Sequence, residues 1–197
     1  KQALKGDSNS LVRFCADSEN ISLMQAFAQH GEIGAFNKKE YHMPDFADNE
    51  LMSWAISQKS PETVKVLLAR SIAQSVSARS WRAHIRTALE SLQDDVAAQL
   101  LVAKPDIAVN EGAWDGTLLQ AAAHNLCTTF AKTLLEGNFG AQVDACSAHL
   151  KKTPLQLCAE RVNRSEGWHW SESYFSEKKW DMLHLLLKHG ANPDVKM

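Results

Sequence analysis

The chain has 197 residues, of which 45% are hydrophobic and 22% charged, and its formal net charge is −2. This composition is typical of a globular domain with a hydrophobic core, and the near-neutral charge argues against nucleic-acid binding or a global attraction to anionic membranes. No apolar run approaches the roughly 18 consecutive residues that a membrane helix needs, so we expect no membrane span.

The cysteine pattern favours a reducing compartment. Cys15, Cys127, Cys146 and Cys158 form no CxxC pair, and they do not suggest a small secreted disulfide scaffold. We expect Cys158 to lie on the buried face of a helix and Cys127, near a helix turn, to be the more accessible thiol. Because the chain begins with Lys1 and no signal-peptide pattern follows, we expect a fragment of a longer cytoplasmic protein.

Residues 1–40 predict helices without a regular period. Apolar residues recur at the spacing of one helical face, and this pattern stops at Gly31. From Phe14 to Leu67 is 53 positions, which is too long for one of the repeats found further along the chain and too short for two. We therefore expect partial or degenerate repeats in this region.

A loop is predicted at residues 40–48, before the first regular helix. Pro44 breaks the helical pattern there, and Asp48 or Asn49 can cap the helix that follows.

Four helix pairs are predicted after this loop. They cover residues 49–70, 83–104, 117–137 and 153–190, and the connecting loops lie at about 71–82, 105–116 and 138–152. The second helix of each of the first three pairs carries two adjacent leucines: Leu67-Leu68, Leu100-Leu101 and Leu134-Leu135. These pairs recur at intervals of 33 and 34 positions. A fixed interval in this range indicates an all-α array of stacked repeats.

The first helix of each pair shows the same period. Leu51, Ile85 and Leu119 lie 34 positions apart, and Leu155 follows 36 positions later. A small or apolar pair comes three and four positions after each of these residues, which places anchor and pair on one helical face.

The last pair contains an insertion at about residues 162–179. From Leu134 to Leu186 is 52 positions, and the excess lies between Arg161 and Trp180. We expect either a loop or an N-terminal extension of the second helix. Its aromatic residues, which include Trp168 and Trp170, either hold a peptide or cover the exposed end of the last repeat, and we favour the cap.

Several segments resemble the ankyrin repeat. Residues 153–159 (TPLQLCA) resemble its TPLHxAA helix start, residues 115–123 (DGTLLQAAA) resemble the same motif without proline, and residues 186–194 (LLKHGANPD) resemble its closing LLxxGAxxN/D pattern. Thr153 can cap its helix, Pro154 suits the first helical position, and Gly190 suits a left-handed cap. The repeats at Leu51 and Ile85 depart from the pattern, because they lack Thr-Pro and the closing Gly-Ala.

The resemblance implies an ankyrin-repeat solenoid, in which stacked helix pairs carry projecting loops. One domain would span residues 1–197, with repeats at 49–82, 83–116, 117–152 and 153–195. It also implies a non-catalytic module that binds a protein partner through its loop tips and inner helices. Similar decay occurs in ankyrin effectors of intracellular bacteria, which act in the host cytoplasm. The alternative is that the chain is the targeting domain of a larger enzyme.

Aromatic residues recur at one point of the predicted loops. Phe46, Trp81, Trp114 and His149 follow one another at intervals of 35, 33 and 35 positions. Exposed tryptophans are typical of binding hot spots, whereas the alternative is that each ring packs on the neighbouring loop. The candidate partner-binding residues at the loops, the inner helices and the insertion are Phe46, Trp81, Arg82, Trp114, Asp115, His124, Asn125, His149, Arg161, Trp168 and Trp170.

No motif in the chain predicts catalysis. The GxSxG, HExxH, Walker-type and GxGxxG patterns are missing from the sequence, and we expect no enzyme activity and no cofactor. His124, Cys127, Cys146 and His149 are ligand types that could hold zinc. Their placement on a helix end and a loop favours coincidence, so we expect no metal.

Overall fold

The computed structural model describes residues 44–69, 72–112, 116–161 and 172–195. Throughout these ranges the chain forms helices joined by turns and loops, without a β-strand, so the all-α prediction is confirmed for them. The helices are α1 (Pro44–Ser57), α2 (Pro61–Ala69), α3 (Ile72–Ser75), α4 (Ala78–Glu90), α5 (Asp94–Ala103), α6 (Leu118–Asn125), α7 (Thr128–Glu136), α8 (Pro154–Glu160) and α9 (Glu172–Lys188). The four helix pairs correspond to α1–α2, α4–α5, α6–α7 and α8–α9.

The chain divides into two compact units, residues 1–87 and residues 88–197. The expected degenerate repeats at residues 1–40 lie outside the described residues. In each described helix the length or the apolar character falls short of what a membrane span requires.

In the first unit, α1 packs against α2 and α3. The loop predicted at residues 40–48 is wrong for its last five residues, because α1 already begins at Pro44. A proline suits this position, since the first amides of a helix have no intrahelical acceptor. Ile56, on α1, is buried together with Leu51 and Leu67.

The loop predicted at residues 71–82 is also largely helical. A short helix, α3, occupies its beginning, and α4 starts at Ala78. The Ser77 hydroxyl accepts the backbone N–H of Ser80 at 3.2 Å, which caps the first turn of α4. This local cap extends the helix five residues further towards the N-terminus than the apolar pattern predicts.

Three helix pairs close through the same tight turn. The residue at its corner has a positive φ: 51° at Lys59, 57° at Leu92 and 58° at Leu126. The next amide then bonds back to the carbonyl oxygen five residues earlier, namely Ser60 to Ala55, Gln93 to Ala88 and Cys127 to Ala122 at 3.0, 2.8 and 2.9 Å. This is the Schellman arrangement that satisfies carbonyls at a helix end. The corner residues recur at 33 and 34 positions, like the leucine pairs.

In the second unit, each helix packs against the helix at the same place in the neighbouring pair. The first helices α6 and α8 contact each other, and the second helices pack α5 on α7 and α7 on α9. Leu100, Leu134 and Leu186, at matching positions of these second helices, are all buried.

Side chains of one helix pair also satisfy backbone groups of the next. The Asp94 carboxylate, at the start of α5, accepts the amides of Thr129 and Phe130 at 2.8 and 2.7 Å and so caps α7. On the loops, Asn110 accepts the amide of Gln142 at 2.9 Å, and Asp144 accepts the amide of Asn192 at 3.1 Å.

Two glutamines each complete a helix cap and also bond to the backbone of a segment further along the chain. Gln120 and Gln156 complete capping boxes with Thr117 and Thr153, which confirms Thr153 as the cap of α8 with Pro154 in its first turn. Their amide groups also donate to the carbonyls of Lys152 and Val195 at 2.7 and 3.0 Å. Gly190 follows α9 with a φ of 86°, as its predicted left-handed role requires.

The insertion is helical in its second half. Residues 172–179 form the N-terminal extension of α9, whereas residues 162–171 lie outside the described residues. The predicted extension of the second helix is therefore confirmed for residues 172–179.

Replacement of Asp94 by alanine tests the cap between α5 and α7. We expect Asp94→Ala to lower the free energy of unfolding by about 2 kcal/mol, because two amides at the start of α7 lose a charged acceptor. Asp95→Ala is the matched control, since Asp95 is the exposed neighbour on the same turn. Urea unfolding measures both variants, and equal losses would contradict the capping role of Asp94.

Candidate functional site

The candidate site lies at the exposed C-terminal ends of α6 and α8, in the second unit. His124 is exposed on the last turn of α6, and Arg161 directly follows α8. Arg161 Nη1 lies 3.0 Å from His124 Nε2. Because a guanidinium only donates hydrogen bonds, His124 Nε2 is the acceptor and the imidazole carries its proton on Nδ1. The contact therefore joins two neighbouring first helices through their side chains.

A second polar pair lies beside the first. Lys152 precedes the N-cap of α8, and its Nζ atom contacts a Glu160 carboxylate oxygen at 2.5 Å. Both side chains are about half exposed, at 44% and 56%, so solvent screens the attraction and the pair contributes little to stability. It does hold an acidic and a basic group in defined positions on the surface.

Lys179 fixes the backbone under this surface. Its Nζ atom donates to the carbonyls of Ala159 at 2.6 Å and Arg161 at 2.8 Å. A cation at this position satisfies carbonyls that the end of α8 leaves without an intrahelical partner. The helical extension of α9 thus orients the residue that bears the Arg161 guanidinium.

Three of the candidate residues come together on this surface, namely His124, Asn125 and Arg161. The Asn125 side chain donates to the carbonyl of Ala121 at 3.0 Å. His149 is exposed on the loop before α8, and Arg82 is partly buried on α4 of the first unit. The structure does not describe the Phe46 side chain, Trp114, Asp115, Trp168 or Trp170.

Lys152 and Lys179 are absent from the predicted set. The position of Lys152, directly before a Thr-Pro helix start, could have marked it as a loop-edge residue. Lys179 lies in the insertion, where no sequence motif predicts contacts with α8.

The prediction that Trp81 lies on a solvent-facing loop tip is wrong. Trp81 belongs to the first turns of α4, and its side chain has no solvent-exposed surface. The Ser77 cap explains the difference, because it starts α4 before Trp81 and directs the indole into the core. A buried side chain offers no contact surface, so Trp81 leaves the partner-binding set and belongs to the core of the first unit.

His84 is also buried in the first unit. Its ring meets Trp81 edge to face, with ring centroids 6.2 Å apart, and Ser53 Oγ lies 3.4 Å from its Nδ1 atom. Its Nε2 atom is buried without a hydrogen-bond partner. Burial lowers the pKa of His84 from 6.5 to about 4, because the charged imidazolium cannot be hydrated there.

The cysteines differ from the prediction in one respect. Cys158 is buried as expected, but Cys127 is buried too, with its thiol 3.6 Å from the carbonyl oxygen of Leu89, while Cys146 is exposed. Burial raises the pKa of both buried thiols, to about 11 for Cys158, and the Asp94 carboxylate raises that of Cys127 further. Among the three described cysteines, the accessible thiol is therefore at Cys146, not at Cys127.

Among the described residues, no three His, Cys, Asp or Glu side chains come together in a way that could hold a metal ion. His124, Cys127, Cys146 and His149 are all described, and the burial of the Cys127 thiol separates it from the exposed loop residues. The proposed ligand types are therefore not assembled into a site.

Comparison with known proteins gives no match: no family model, no curated protein and no solved structure is similar to this chain.

The burial of His84 predicts a loss of stability in acid. Between pH 6.5 and about 4, the unfolded chain binds a proton at His84 that the folded chain excludes, so the free energy of unfolding falls as the pH falls. The free energy of unfolding falls by up to about 1.4 kcal/mol per pH unit, and by about 3 kcal/mol over the whole range. Denaturant unfolding across this pH range should show a shallower slope for His84→Phe. His149→Phe, at an exposed histidine, is the control and should retain the original slope.

Thiol labelling should separate the three described cysteines. We expect Cys146 to react readily under native conditions and Cys127 and Cys158 to react only after denaturation. The rise in the pKa of Cys158 from 9.0 to about 11 reduces its thiolate fraction at neutral pH about 100-fold, and burial excludes the reagent as well. Peptide mapping by mass spectrometry measures each site, and rapid native labelling of Cys127 would contradict its burial.

Proposed function

We propose that this chain is a non-catalytic, ankyrin-type protein-binding module that binds its partner at the ends of α6 and α8. The proposal rests chiefly on one observation, the side-chain bridge from Arg161 to His124 across two neighbouring first helices. It is an exposed polar arrangement on rigid elements, and exposed polar groups in defined positions are typical of recognition surfaces.

The repeated geometry supports the ankyrin-type arrangement. The tight turn recurs at Lys59, Leu92 and Leu126 at the spacing of the leucine pairs. In the second unit, first helices pack on first helices and second helices on second helices. Gln120 occupies the position of the histidine in the resembled TPLHxAA motif, and it bonds both within its own helix pair and to the next loop. Within the second unit, helix pairs thus bond to their neighbours, as they do in repeat arrays.

The chemistry of the surface favours a protein partner. Arg161 and Lys152 donate hydrogen bonds, Glu160 accepts them, and His124, whose Nε2 accepts from Arg161, can donate through Nδ1. The charges are of both signs and lie close together, which suits the mixed polar surface of a protein better than the uniform charge of a nucleic acid. Arginine is also enriched among the residues that dominate binding energies.

Paired substitutions on this surface test the proposal. A partner captured by cross-linking to the wild-type chain is purified, and its affinity for each variant is measured by titration. We expect the double variant Arg161→Ala/His124→Ala to weaken binding by about 1–3 kcal/mol, which corresponds to about 5- to 150-fold. The unfolding midpoint should change little, because His124 is exposed and Arg161 partly so.

Lys132→Ala is the matched control, since Lys132 is an exposed cation on α7 rather than on a first helix. It should bind the partner like the wild type. If the double variant also binds with unchanged affinity, the ends of α6 and α8 are not the binding surface.

A further inference from the structure

The last helix exposes large apolar side chains along one face. The α9 face, defined here as Trp180, Asp181, His184, Leu187 and Lys188, is exposed at every member. Trp180 is 70% exposed and Leu187 is 49% exposed. These residues recur at intervals of three and four, so they lie on one side of α9. Two large apolar side chains exposed on one side of a helix make that side a candidate for an interaction surface.

The corresponding positions of α5 are used for packing and capping in the second unit. The leucine pairs align Leu187 with Leu101 of α5, and the seven-residue interval from Asp94 to Leu101 matches that from Trp180 to Leu187. Leu101 is fully buried, and Asp94 reaches the first amides of α7. On α5, therefore, the leucine at this position is buried and the residue seven positions earlier contacts the next helix, whereas on α9 the corresponding leucine is half exposed.

The charges on the α9 face are complementary to those of a second α9 that runs in the opposite direction. Asp181 lies in the N-terminal half of the face, and Lys188 lies seven residues later at its C-terminal end. If a second α9 runs antiparallel and crosses near His184, Asp181 of each copy lies next to Lys188 of the other. Trp180 of each copy likewise lies next to Leu187 of the other. A parallel pairing would instead place like charges together.

We propose that the α9 face binds a second copy of this chain, with the two helices antiparallel about His184. This self-complementary face suits a two-fold interface, in which each contact occurs twice. The inference is independent of the proposed partner-binding surface, because it uses the side chains of α9 and not the ends of α6 and α8.

Mass measurement over a concentration series tests the dimer. Light scattering after gel filtration should show the wild-type chain rising from 21.9 kDa towards twice that mass as its concentration increases. Trp180→Asp and Leu187→Asp should each weaken association at least tenfold and leave the chain monomeric at the concentrations where the wild type dimerises. Both side chains are exposed in the single chain, so the circular dichroism spectrum and the melting temperature should be retained.

Charge exchange tests the antiparallel direction. Asp181→Lys alone and Lys188→Asp alone each bring like charges together twice per dimer and should weaken it. The double variant Asp181→Lys/Lys188→Asp restores opposite charges and should recover most of the association, whereas binding to a different partner would not be recovered.

Val102→Asp is the matched control, because Val102 is an exposed apolar residue (61%) on α5, outside the α9 face. It should dimerise like the wild type. A chain that stays monomeric at every concentration overturns the proposal. So does a dimer that Trp180→Asp and Leu187→Asp leave unchanged, or one that the double charge exchange fails to restore.

Discussion

The helix pairs depend on a tight turn that requires an unfavourable backbone conformation. Lys59, Leu92 and Leu126 adopt positive φ angles although none is a glycine. A left-handed residue with a side chain costs about 1–2 kcal/mol. Each turn offsets this cost in two ways, by returning an amide to the carbonyl of a buried alanine and by bringing the leucines of the second helix into the core. Burial of a leucine contributes about 1.5–3 kcal/mol, so the packed turn is favourable overall.

The second constraint is the satisfaction of backbone groups between helix pairs. A short helix leaves a large share of its amides and carbonyls without an intrahelical partner. In the second unit, the helices α5 to α8 have only seven to ten residues each. Asp94 supplies an acceptor for two amides of α7 from the neighbouring pair, and Asn110, Gln120 and Asp144 bond to backbone groups of segments outside the helices. The stability of each pair in this unit therefore depends on contacts beyond the pair itself.

The sequence predicts the spacing of the leucine pairs well because the first leucine of each pair is buried in the core. Leu100 and Leu134 must reach the core at a fixed point of each second helix, and this requirement is visible as a fixed spacing. The caps at Thr153 and Gly190 are predictable for a similar reason, since each needs one residue type at one place. By contrast, the start of α4 depends on the Ser77 hydroxyl. This single polar residue is a weak signal in the sequence, and the apolar pattern predicts a later start.

The surface is harder to predict than the core because exposure depends on neighbours. Trp81 shares its spacing with loop residues yet lies inside a helix, and its aromatic character is equally compatible with a hot spot and with a core position. His84 and Cys127 likewise carry polar groups into the core, where the helices around them, rather than their own sequence context, decide their burial. Arg161 and His124 were predicted as candidates, but their mutual contact depends on the packing of α6 on α8 and on the support from Lys179.

Equivalent positions of a repeated structure therefore need not have equivalent roles. Leu101, Leu135 and Leu187 share one place in their helices, yet the first is fully buried, the second is partly buried and the third is half exposed. The side chain is the same, and its exposed fraction differs from one helix to the next. The α9 face that we propose for self-association therefore includes a leucine position that is fully buried on α5. The spacing of the leucines predicts their place on each helix, whereas their burial depends on the side chains and helices that surround them in the folded chain.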